Sequence, residues 1–354
     1  MVAPGYVLSH NMILNRRGFL HGTVSMAAVT AAGQVHSHHS VVEAPLEAAP
    51  GGSPAGGQPV ASGSGKFRYE YVPEKLVLPP EVRMKNGHGL CRDAQGNIYF
   101  TFEPEEVREQ TRCLARFSPD GAGAVLLGAD NALARGVPHG LNIDVEKNGR
   151  AVLYHANNDA TVHKTTLEGE VLWTQKWSPQ MGNYKPTDAV APPNGERLIV
   201  ADGYGSSMIH VLKTADGIYA GKSWGGLGPA HGELNCPHGI TYDARRGLLL
   251  TADRGNKRLE YFTVSGAYHS TIEAKEITAP CNADVWGDYL LVPDLDGPLV
   301  ILDRDNRPIS VIEVGRLLGH LGFRHPHDAI WLANGDIAVC TWNPGRLAYW
   351  RRLG

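Results

Sequence analysis

Several features that mark other classes of protein are missing from this chain of 354 residues. No apolar run reaches the roughly 18 to 20 residues that a membrane-spanning helix needs, so we expect no membrane span. The formal net charge is only −3, and lysine and arginine do not form the basic patch that nucleic-acid binding requires. The sequence therefore predicts neither an integral membrane protein nor a nucleic-acid partner.

Cysteine is also scarce, and its pattern excludes two common architectures. The five residues are Cys91, Cys113, Cys236, Cys281 and Cys340. Their odd number and wide spacing fit neither a disulfide framework nor a CxxC metal site. We expect most of them to be thiols buried in strands or lining a channel. One bridge could form in an oxidising compartment, and the spacing does not select its partners.

What the chain does have is an internal repeat. Its clearest copies are PTDAVAPPNGERLIVADGYGSSMIHVL, residues 186–212, and PHGITYDARRGLLLTADRGNKRLEYF, residues 237–262. Six copies begin 43 to 51 residues apart, and the second residues of their starts are His88, His139, Thr187, His238, Cys281 and His327. Such a period, with four short apolar strands in each copy, is typical of a β-propeller. Residues 67–354 are therefore predicted to form an all-β, six-bladed propeller.

Closure of the ring can be predicted as well. Five units carry a fourth strand, but the sixth ends at RLAYWRRLG without one. The strand-like segment FRYEYV, residues 67–72, precedes the first unit and has no partner in it. Because an unpaired sheet edge promotes aggregation, we expect this segment to complete the last blade.

The N-terminal part of the chain differs from the repeats. Residues 1–32 contain Arg16-Arg17 followed by Phe19-Leu20 and a short apolar run, which is typical of a twin-arginine export signal. A chance pair of arginines is the alternative. Residues 33–66 are rich in glycine, serine, alanine and proline and are predicted to be a flexible linker. We therefore expect a periplasmic or secreted protein.

The histidines at the repeat starts predict a metal centre. In a propeller the innermost strands begin beside the central channel, so equivalent positions face one axis. His139, His238 and His327 come from alternate units, each directly after proline. Three imidazoles with one open position are the usual ligands of a catalytic zinc ion. The alternative is three structural histidines that form hydrogen bonds across the channel. His88 and His325 are expected to line the same site.

Two further side chains are candidates for catalysis. Tyr204 and Arg254 follow the Ala-Asp that ends the second strand of units three and four. We expect both to open on one face of the ring beside the metal. A phenol near a dication and a guanidinium can act as a base, and the guanidinium can bind a carboxylate. The alternative is a tyrosine that packs between blades and an arginine paired with turn aspartates.

These motifs resemble those of a known family. The repeat is similar to the NHL repeat of six-bladed propellers. More narrowly, VPHGLNID, CPHGITYD, TADRGNKRLEYF and HPHDAI resemble the peptidyl-α-hydroxyglycine α-amidating lyases, also called peptidylamidoglycolate lyases. The resemblance implies cleavage of the N–C bond of a carbinolamide to give an amide and glyoxylate.

The resemblance also implies roles for individual residues. Zinc ligands fall on His139, His238 and His327, the catalytic tyrosine on Tyr204 and a substrate-carboxylate arginine on Arg254. A structural calcium ion is implied at the residues Asp328, Leu90 and Leu141, the two leucines through their backbone carbonyls.

The chain departs from the family pattern at several positions. Glu103 stands where the family has a second arginine, and Arg108 is the nearest alternative. His325 replaces a methionine, and Gly205 replaces a cysteine that follows the catalytic tyrosine. The metal and the base therefore have more support than the peptide substrate.

Three functions compete on this evidence. The first is a monomeric, metal-dependent carbon–nitrogen lyase acting on a small-molecule or peptide substrate with a carboxylate. The second is a non-enzymatic NHL propeller that binds a protein or glycan. The third is a lactonase-type propeller with calcium on its axis, which the histidine-rich axis disfavours because calcium prefers oxygen ligands. Bound metal would distinguish the first from the second.

Overall fold

The computed structural model describes residues 59–106, 111–128, 132–193 and 195–354, which fall within one unit. The predicted signal segment and most of the predicted linker lie outside the described residues, as does Arg108. Among the described residues, no helix is both long and apolar enough to cross a membrane.

Strands dominate the described chain and form six antiparallel sheets, each of them one blade. Two strands precede the first blade, β1 (Ala61–Ser64) and β2 (Phe67–Tyr71). The first blade contains β3 (Met84–Arg92), β4 (Ile98–Pro104), β5 (Leu114–Phe117) and β6 (Val125–Leu127). The second contains β7 (Pro138–Val145), β8 (Ala151–Asn157), β9 (Thr161–Thr165) and β10 (Val171–Lys176). The third contains β11 (Asp188–Val190), β12 (Arg197–Asp202), β13 (Met208–Lys213) and β14 (Tyr219–Gly225).

The other three blades repeat this order from the axis outward. The fourth contains β15 (Pro237–Asp243), β16 (Leu248–Asp253), β17 (Arg258–Phe262) and β18 (Tyr268–Ile272). The fifth contains β19 (Asp284–Trp286), β20 (Tyr289–Pro293), β21 (Leu299–Leu302) and β22 (Pro308–Ile312). The sixth contains β23 (Pro326–Trp331), β24 (Ile337–Thr341) and β25 (Arg346–Arg352), followed by β2 and β1. Helical turns are short: α1 (Val314–Leu318) and 3-10 turns at Pro179–Met181, Arg254–Asn256 and Gly319–Leu321.

The hydrophobic core is divided among the contacts between blades. Strands such as β12, β16 and β20 are buried along nearly their whole length, because neighbouring blades cover both of their faces. One cluster of buried apolar side chains lies at each of the six contacts between adjacent blades. The cluster between the sixth and first blades includes Phe100 and Ala338, so the ring is closed by packing as well as by pairing.

The predicted closure of the ring is confirmed. Strand β2 pairs antiparallel with β25, with Tyr69 opposite Arg352 and Tyr71 opposite Trp350. The first and last parts of the propeller therefore share one sheet.

The sixth blade is one strand wider than predicted. Strand β1 pairs with β2 at the outer edge, in a segment that we predicted to be linker. Its serines find partners on the fifth blade: the Glu313 amide donates to Ser62 Oγ (2.9 Å), and the Ser64 amide donates to Ser310 Oγ (2.9 Å). These bonds join residues far apart in sequence, which explains why local composition did not reveal the strand.

Candidate metal centre and neighbouring active-site residues

Four histidines meet on the axis of the ring. His139, His238 and His327 lie at the starts of β7, β15 and β23, and His88 lies within β3. All four are at least 96% buried, with 2 to 4% exposure. Neighbouring rings are close, with centroids 4.6 Å apart for His88 and His139 and 4.6 Å apart for His238 and His327. The sequence pattern thus brings the imidazoles of alternate blades together.

Three of the four rings are held in one orientation by the backbone. The Nδ1 atom of each bonds to the carbonyl oxygen at the equivalent position of the next blade. His139 reaches Thr187 at 2.7 Å, His238 reaches Cys281 at 2.9 Å, and His327 reaches His88 at 2.9 Å. A carbonyl accepts only from N–H, so each Nδ1 carries the proton and each Nε2 keeps its lone pair. This tautomer is the one that a metal-binding histidine requires.

The free nitrogens have the character of metal ligands. Nε2 of His139 and Nε2 of His327 are buried without a hydrogen-bond partner among the described residues. An unsatisfied buried polar atom destabilises a fold by about 1–3 kcal/mol, so a bound cation would remove a cost. Burial also holds the pKa of His139, His238 and His327 well below the usual value, which keeps the rings neutral. These residues fit a divalent metal ion.

The structure and the sequence pattern favour different histidines as the third metal ligand beside His139 and His327. Ligand nitrogens of His88, His139 and His327 lie within 4.8 Å of one another. With Zn–N bonds of about 2.0–2.1 Å, two nitrogens of a tetrahedral zinc site lie roughly 3.3–3.4 Å apart, so these three would move closer together on one ion. His238, predicted as the third ligand, has its Nε2 atom 3.1 Å from the Tyr204 hydroxyl. Distance therefore favours His88, whereas the shared Nδ1 pattern favours His238.

Tyr204 and Arg254 meet beside His238, as their positions on adjacent blades predicted. Arg254 Nη2 donates to the Tyr204 hydroxyl at 3.1 Å, and its guanidinium lies 5.3 Å from the centre of the phenol ring. Both side chains are partly exposed. Burial raises the pKa of Tyr204 to about 12, and the Arg254 charge opposes this shift only in part. In this structure the phenol is therefore protonated at neutral pH.

Asp202, at the end of β12, shapes the turn that carries Tyr204. Asp202 accepts hydrogen bonds from the Lys185 amide at 2.6 Å and the Ser206 amide at 2.7 Å. A side chain at Gly205 would meet the Asn183 carbonyl oxygen at 2.2 Å, so the turn has no room for one. We did not predict this role for Asp202, although the repeated Ala-Asp in the sequence was a signal for it.

A layer of oxygen-bearing side chains lies next to the histidines. Asp188, Asn282 and Asp328 line a cavity of about 10 Å³ together with the four imidazoles, room for about one water or ion. Burial raises the pKa of Asp328 well above its usual value, and the nearby Asp188 carboxylate adds to the shift. A cation there would relieve this repulsion, which fits the implied calcium ion.

Two of the implied calcium ligands are neighbours in the structure. Asp328 Oδ2 accepts a hydrogen bond from the Leu90 amide at 2.8 Å. A calcium ion held by Asp328 and by the carbonyls of Leu90 and Leu141 stays a prediction.

Glu103 lies beside His88. Its Oε2 atom is 4.0 Å from His88 Nε2, and it accepts hydrogen bonds from Lys85 Nζ (2.7 Å) and Asn86 Nδ2 (2.5 Å). Burial alone would raise the pKa of Glu103, but these polar partners hold it at about 2. An ionised carboxylate therefore lies beside the axial histidines, on the first blade.

His325 is placed differently from the four axial histidines. Its Nδ1 atom lies 3.0 Å from the Leu295 carbonyl oxygen, and its ring centroid is 6.2 Å from that of Trp342. His325 is not among the described residues that line the axial cavity. Its role in the site stays a prediction.

The cysteines show no disulfide among the described residues. Cys91, Cys113, Cys281 and Cys340 are buried, as predicted for most of them, and Cys236 is partly exposed. Cys236 Sγ accepts a hydrogen bond from Arg254 Nη2 at 3.3 Å, which ties that thiol to the candidate active site.

Comparison with protein families identifies the repeat. A family model described as NHL repeat matches residues 234–262, which include His238 and Arg254. Peptidyl-glycine alpha-amidating monooxygenase of Mus musculus is 29% identical over 134 residues. The corresponding protein of Rattus norvegicus is 29% identical over 140 residues. Each match covers 36% of this chain and only 14% of the rodent protein.

Solved structures share the propeller architecture. A gluconolactonase from Xanthomonas campestris has a TM-score of 0.57 at 14% identity, covering 86% of this chain and 98% of its own. An inactive virginiamycin B lyase from Staphylococcus aureus with quinupristin has a TM-score of 0.55 at 11% identity, covering 81% and 100%. A nidogen/laminin complex has a TM-score of 0.51 at 16% identity, covering 73% and 94%. At these identities the likeness shows the fold alone.

Proposed function

This chain is a six-bladed β-propeller with an NHL repeat, and we propose that it is a metal-dependent carbon–nitrogen lyase. The substrate is a carbinolamide with a carboxylate, either a small molecule or a peptide, and the products are an amide and glyoxylate. The observation that supports this most is the contact of Tyr204 with both His238 and Arg254 beside the axial histidines. Similarity to the amidating enzymes of mouse and rat supports the same reaction class.

The metal would be held by His139, His238 and His327, and zinc suits such imidazole ligands. When bound, a divalent ion at this position acidifies a hydroxyl group that it contacts and supplies positive charge beside the phenol. The Nδ1 bonds to backbone carbonyls hold three rings ready before any ion binds. Asp328 with its neighbours would hold a structural calcium ion.

The protein's own residues account for substrate orientation and proton transfer. Arg254 binds the substrate carboxylate, since its guanidinium is partly exposed and carries a permanent charge. Tyr204, ionised with the help of that guanidinium, takes the proton of the substrate hydroxyl. The C–O bond then becomes a carbonyl as the C–N bond breaks. The amide nitrogen receives the proton, so one hydroxyl proton moves to nitrogen and no other reactant is consumed.

Glu103 bears on how the substrate is oriented. Its carboxylate lies on the first blade, three blades away from His238 on the fourth, and therefore across the axis. A substrate carboxylate is repelled from Glu103 and attracted to Arg254. We therefore propose one binding orientation, with the carboxylate beside Arg254.

The proposal includes where the protein acts. The segment with Arg16 and Arg17 would export it to the periplasm through a twin-arginine signal, as a monomer. An epitope-tagged full-length chain with Arg16 and Arg17 changed to lysine should stay in the cytoplasm.

The decisive experiment measures metal content and glyoxylate release on the same preparation. Purified protein should hold about one equivalent of zinc or a similar ion on the axis and release glyoxylate from α-hydroxyhippurate. The double variant His139→Ala, His238→Ala should lose both properties, and His269→Ala, an exposed site, should lose neither. Full zinc occupancy in the double variant would refute the metal site. A zinc-loaded wild type that releases no glyoxylate would refute the substrate.

A further inference from the structure

His88 begins the first repeat, but it stands outside the alternating set of three histidines and the proposed reaction does not use it. It is 3% exposed, yet neither Nδ1 nor Nε2 has a partner at hydrogen-bonding distance among the described residues, the Glu103 carboxylate being 4.0 Å from Nε2. His139, His238 and His327 each have one ring nitrogen satisfied by a carbonyl. Leaving both nitrogens of one imidazole unsatisfied is the more costly arrangement. A ligand to this ring would account for its burial.

The backbone fixes His88 against the rings of His139 and His327. A Cβ atom on Gly87 would lie 2.6 Å from the Thr341 carbonyl oxygen, and one on Gly89 would lie 2.6 Å from the Leu141 amide nitrogen. The chain on either side of His88 is thus pressed against the neighbouring blades. Its ring centroid lies 4.6 Å from that of His139 and 4.9 Å from that of His327. His88 has little freedom to turn away.

We infer that His88 is a fourth imidazole ligand of the axial metal, which makes the centre a four-histidine site. This inference rests on the proposed metal site and adds to it a ligand and a coordination number. The ligand nitrogens of His88, His139 and His327 converge within 4.8 Å. His238 supplies the fourth through Nε2, once Tyr204 turns its hydroxyl from that nitrogen toward substrate.

Four neutral imidazoles change which metals the site prefers. A tetrahedral zinc ion with four histidine ligands has no open position for substrate. A five- or six-coordinate centre keeps one, and such geometry suits Fe²⁺, Co²⁺ or Ni²⁺ as well as zinc. Tyr204 and Arg254, on the third and fourth blades, would border this open position, since His88 and Glu103 lie on the first blade.

The test compares metal affinity and the visible spectrum of the Co²⁺-loaded protein. In the wild type, a Co²⁺ ion with four imidazoles and an open position should absorb weakly, as five- or six-coordinate cobalt does. His88→Ala should bind Co²⁺ about 10- to 100-fold more weakly in chelator competition and show the stronger absorption of tetrahedral cobalt. The backbone carbonyl that orients His327 remains in this variant. The exposed His269→Ala is the matched control and should match the wild type.

Two further measurements make the outcome decisive. His88→Gln keeps a polar side chain of similar length. If His88→Ala does not fold, the Co²⁺ affinity and spectrum are measured on His88→Gln instead. Pulsed electron paramagnetic resonance of the Cu²⁺-loaded wild type counts bound imidazoles without any variant. Four imidazoles support the inference, and three overturn it. Identical affinity and spectrum in His88→Ala and the wild type would also overturn it while leaving the three-histidine site intact. A wild type that binds no metal overturns both proposals.

Discussion

At the scale of single residues, the Tyr204 hydroxyl has two competing partners. It lies 3.1 Å from His238 Nε2 and 3.1 Å from Arg254 Nη2. Burial opposes ionisation of the phenol and raises its pKa to about 12. The Arg254 charge lowers that pKa, and a bound cation would lower it further. The phenol can therefore act as a base only when the metal and Arg254 are both present.

Replacing Tyr204 tests this coupling. Tyr204→Phe removes only the hydroxyl, so we expect kcat for glyoxylate release to fall by about 10²- to 10⁴-fold, the usual contribution of a general base. Metal content should be unchanged, because the phenol is not among the proposed ligands. Steady-state kinetics and metal analysis on one preparation check both points. Unimpaired turnover would show that another group is the base, with His325 the first to examine.

At the scale of strands, the alternation of histidine-bearing blades could be predicted from the sequence, and the outer edge could not. Pro-His at His139, His238 and His327 marks the starts of inner strands, because proline enters a strand only at its first residue or its edge. His88 lacks that proline, and the sequence predicted only that it lines the site; its close contacts with His139 and His327 become visible in the structure. Strand β1, with the sequence ASGS, has no apolar alternation and depends on partners near Ser310.

Truncation measures what the closing strands contribute. Removing residues 1–58 should leave thermal stability nearly unchanged, because Val60, which packs on the core and accepts a bond from the Tyr71 amide, is kept. Removing residues 1–72 deletes β2 and with it Phe67 and Tyr69, which are 2% and 0% exposed. Each large buried side chain contributes about 1.5–3 kcal/mol, so the loss is a large part of a typical stability of about 5–15 kcal/mol. A third truncation, of residues 1–66, isolates β1 and should have an intermediate effect. Equal melting temperatures for the first two would contradict the assignment of β2 as the closing strand.

At the scale of the whole molecule, the axial site brings together blades that are not neighbours in the ring. His139, His238 and His327 come from the second, fourth and sixth blades, so an ion bound to them would link alternate blades across the channel. Because such an ion binds the folded state and not the unfolded chain, it stabilises the fold by about 2.7 kcal/mol at a concentration 100 times its Kd.

Metal removal should therefore lower the melting temperature. Dialysis against a chelator in buffer with excess calcium, which keeps the proposed calcium site filled, is expected to reduce the Tm of the wild type by several degrees, and adding back zinc should restore it. The double variant His139→Ala, His238→Ala should melt at a temperature that neither chelator nor zinc changes. Calorimetry of the wild type and of the double variant, each after dialysis and again after zinc is added, makes the comparison. A wild type that is equally insensitive would argue against an axial ion.

The hydrogen bonds that orient the histidines have a consequence for how the ring can change. The three imidazoles that donate from Nδ1 come from even-numbered blades, and the carbonyls of Thr187, Cys281 and His88 that accept these bonds come from odd-numbered ones. The repeat that matters for chemistry is thus a pair of blades, twice the length of the repeat that matters for folding. If one blade were lost or gained, two blades of the same kind would become neighbours, and a histidine Nδ1 would no longer meet a carbonyl acceptor there. Histidine-bearing and carbonyl-bearing blades would keep alternating only if blades were gained or lost in pairs. The number of blades in such a ring can therefore change only by an even number.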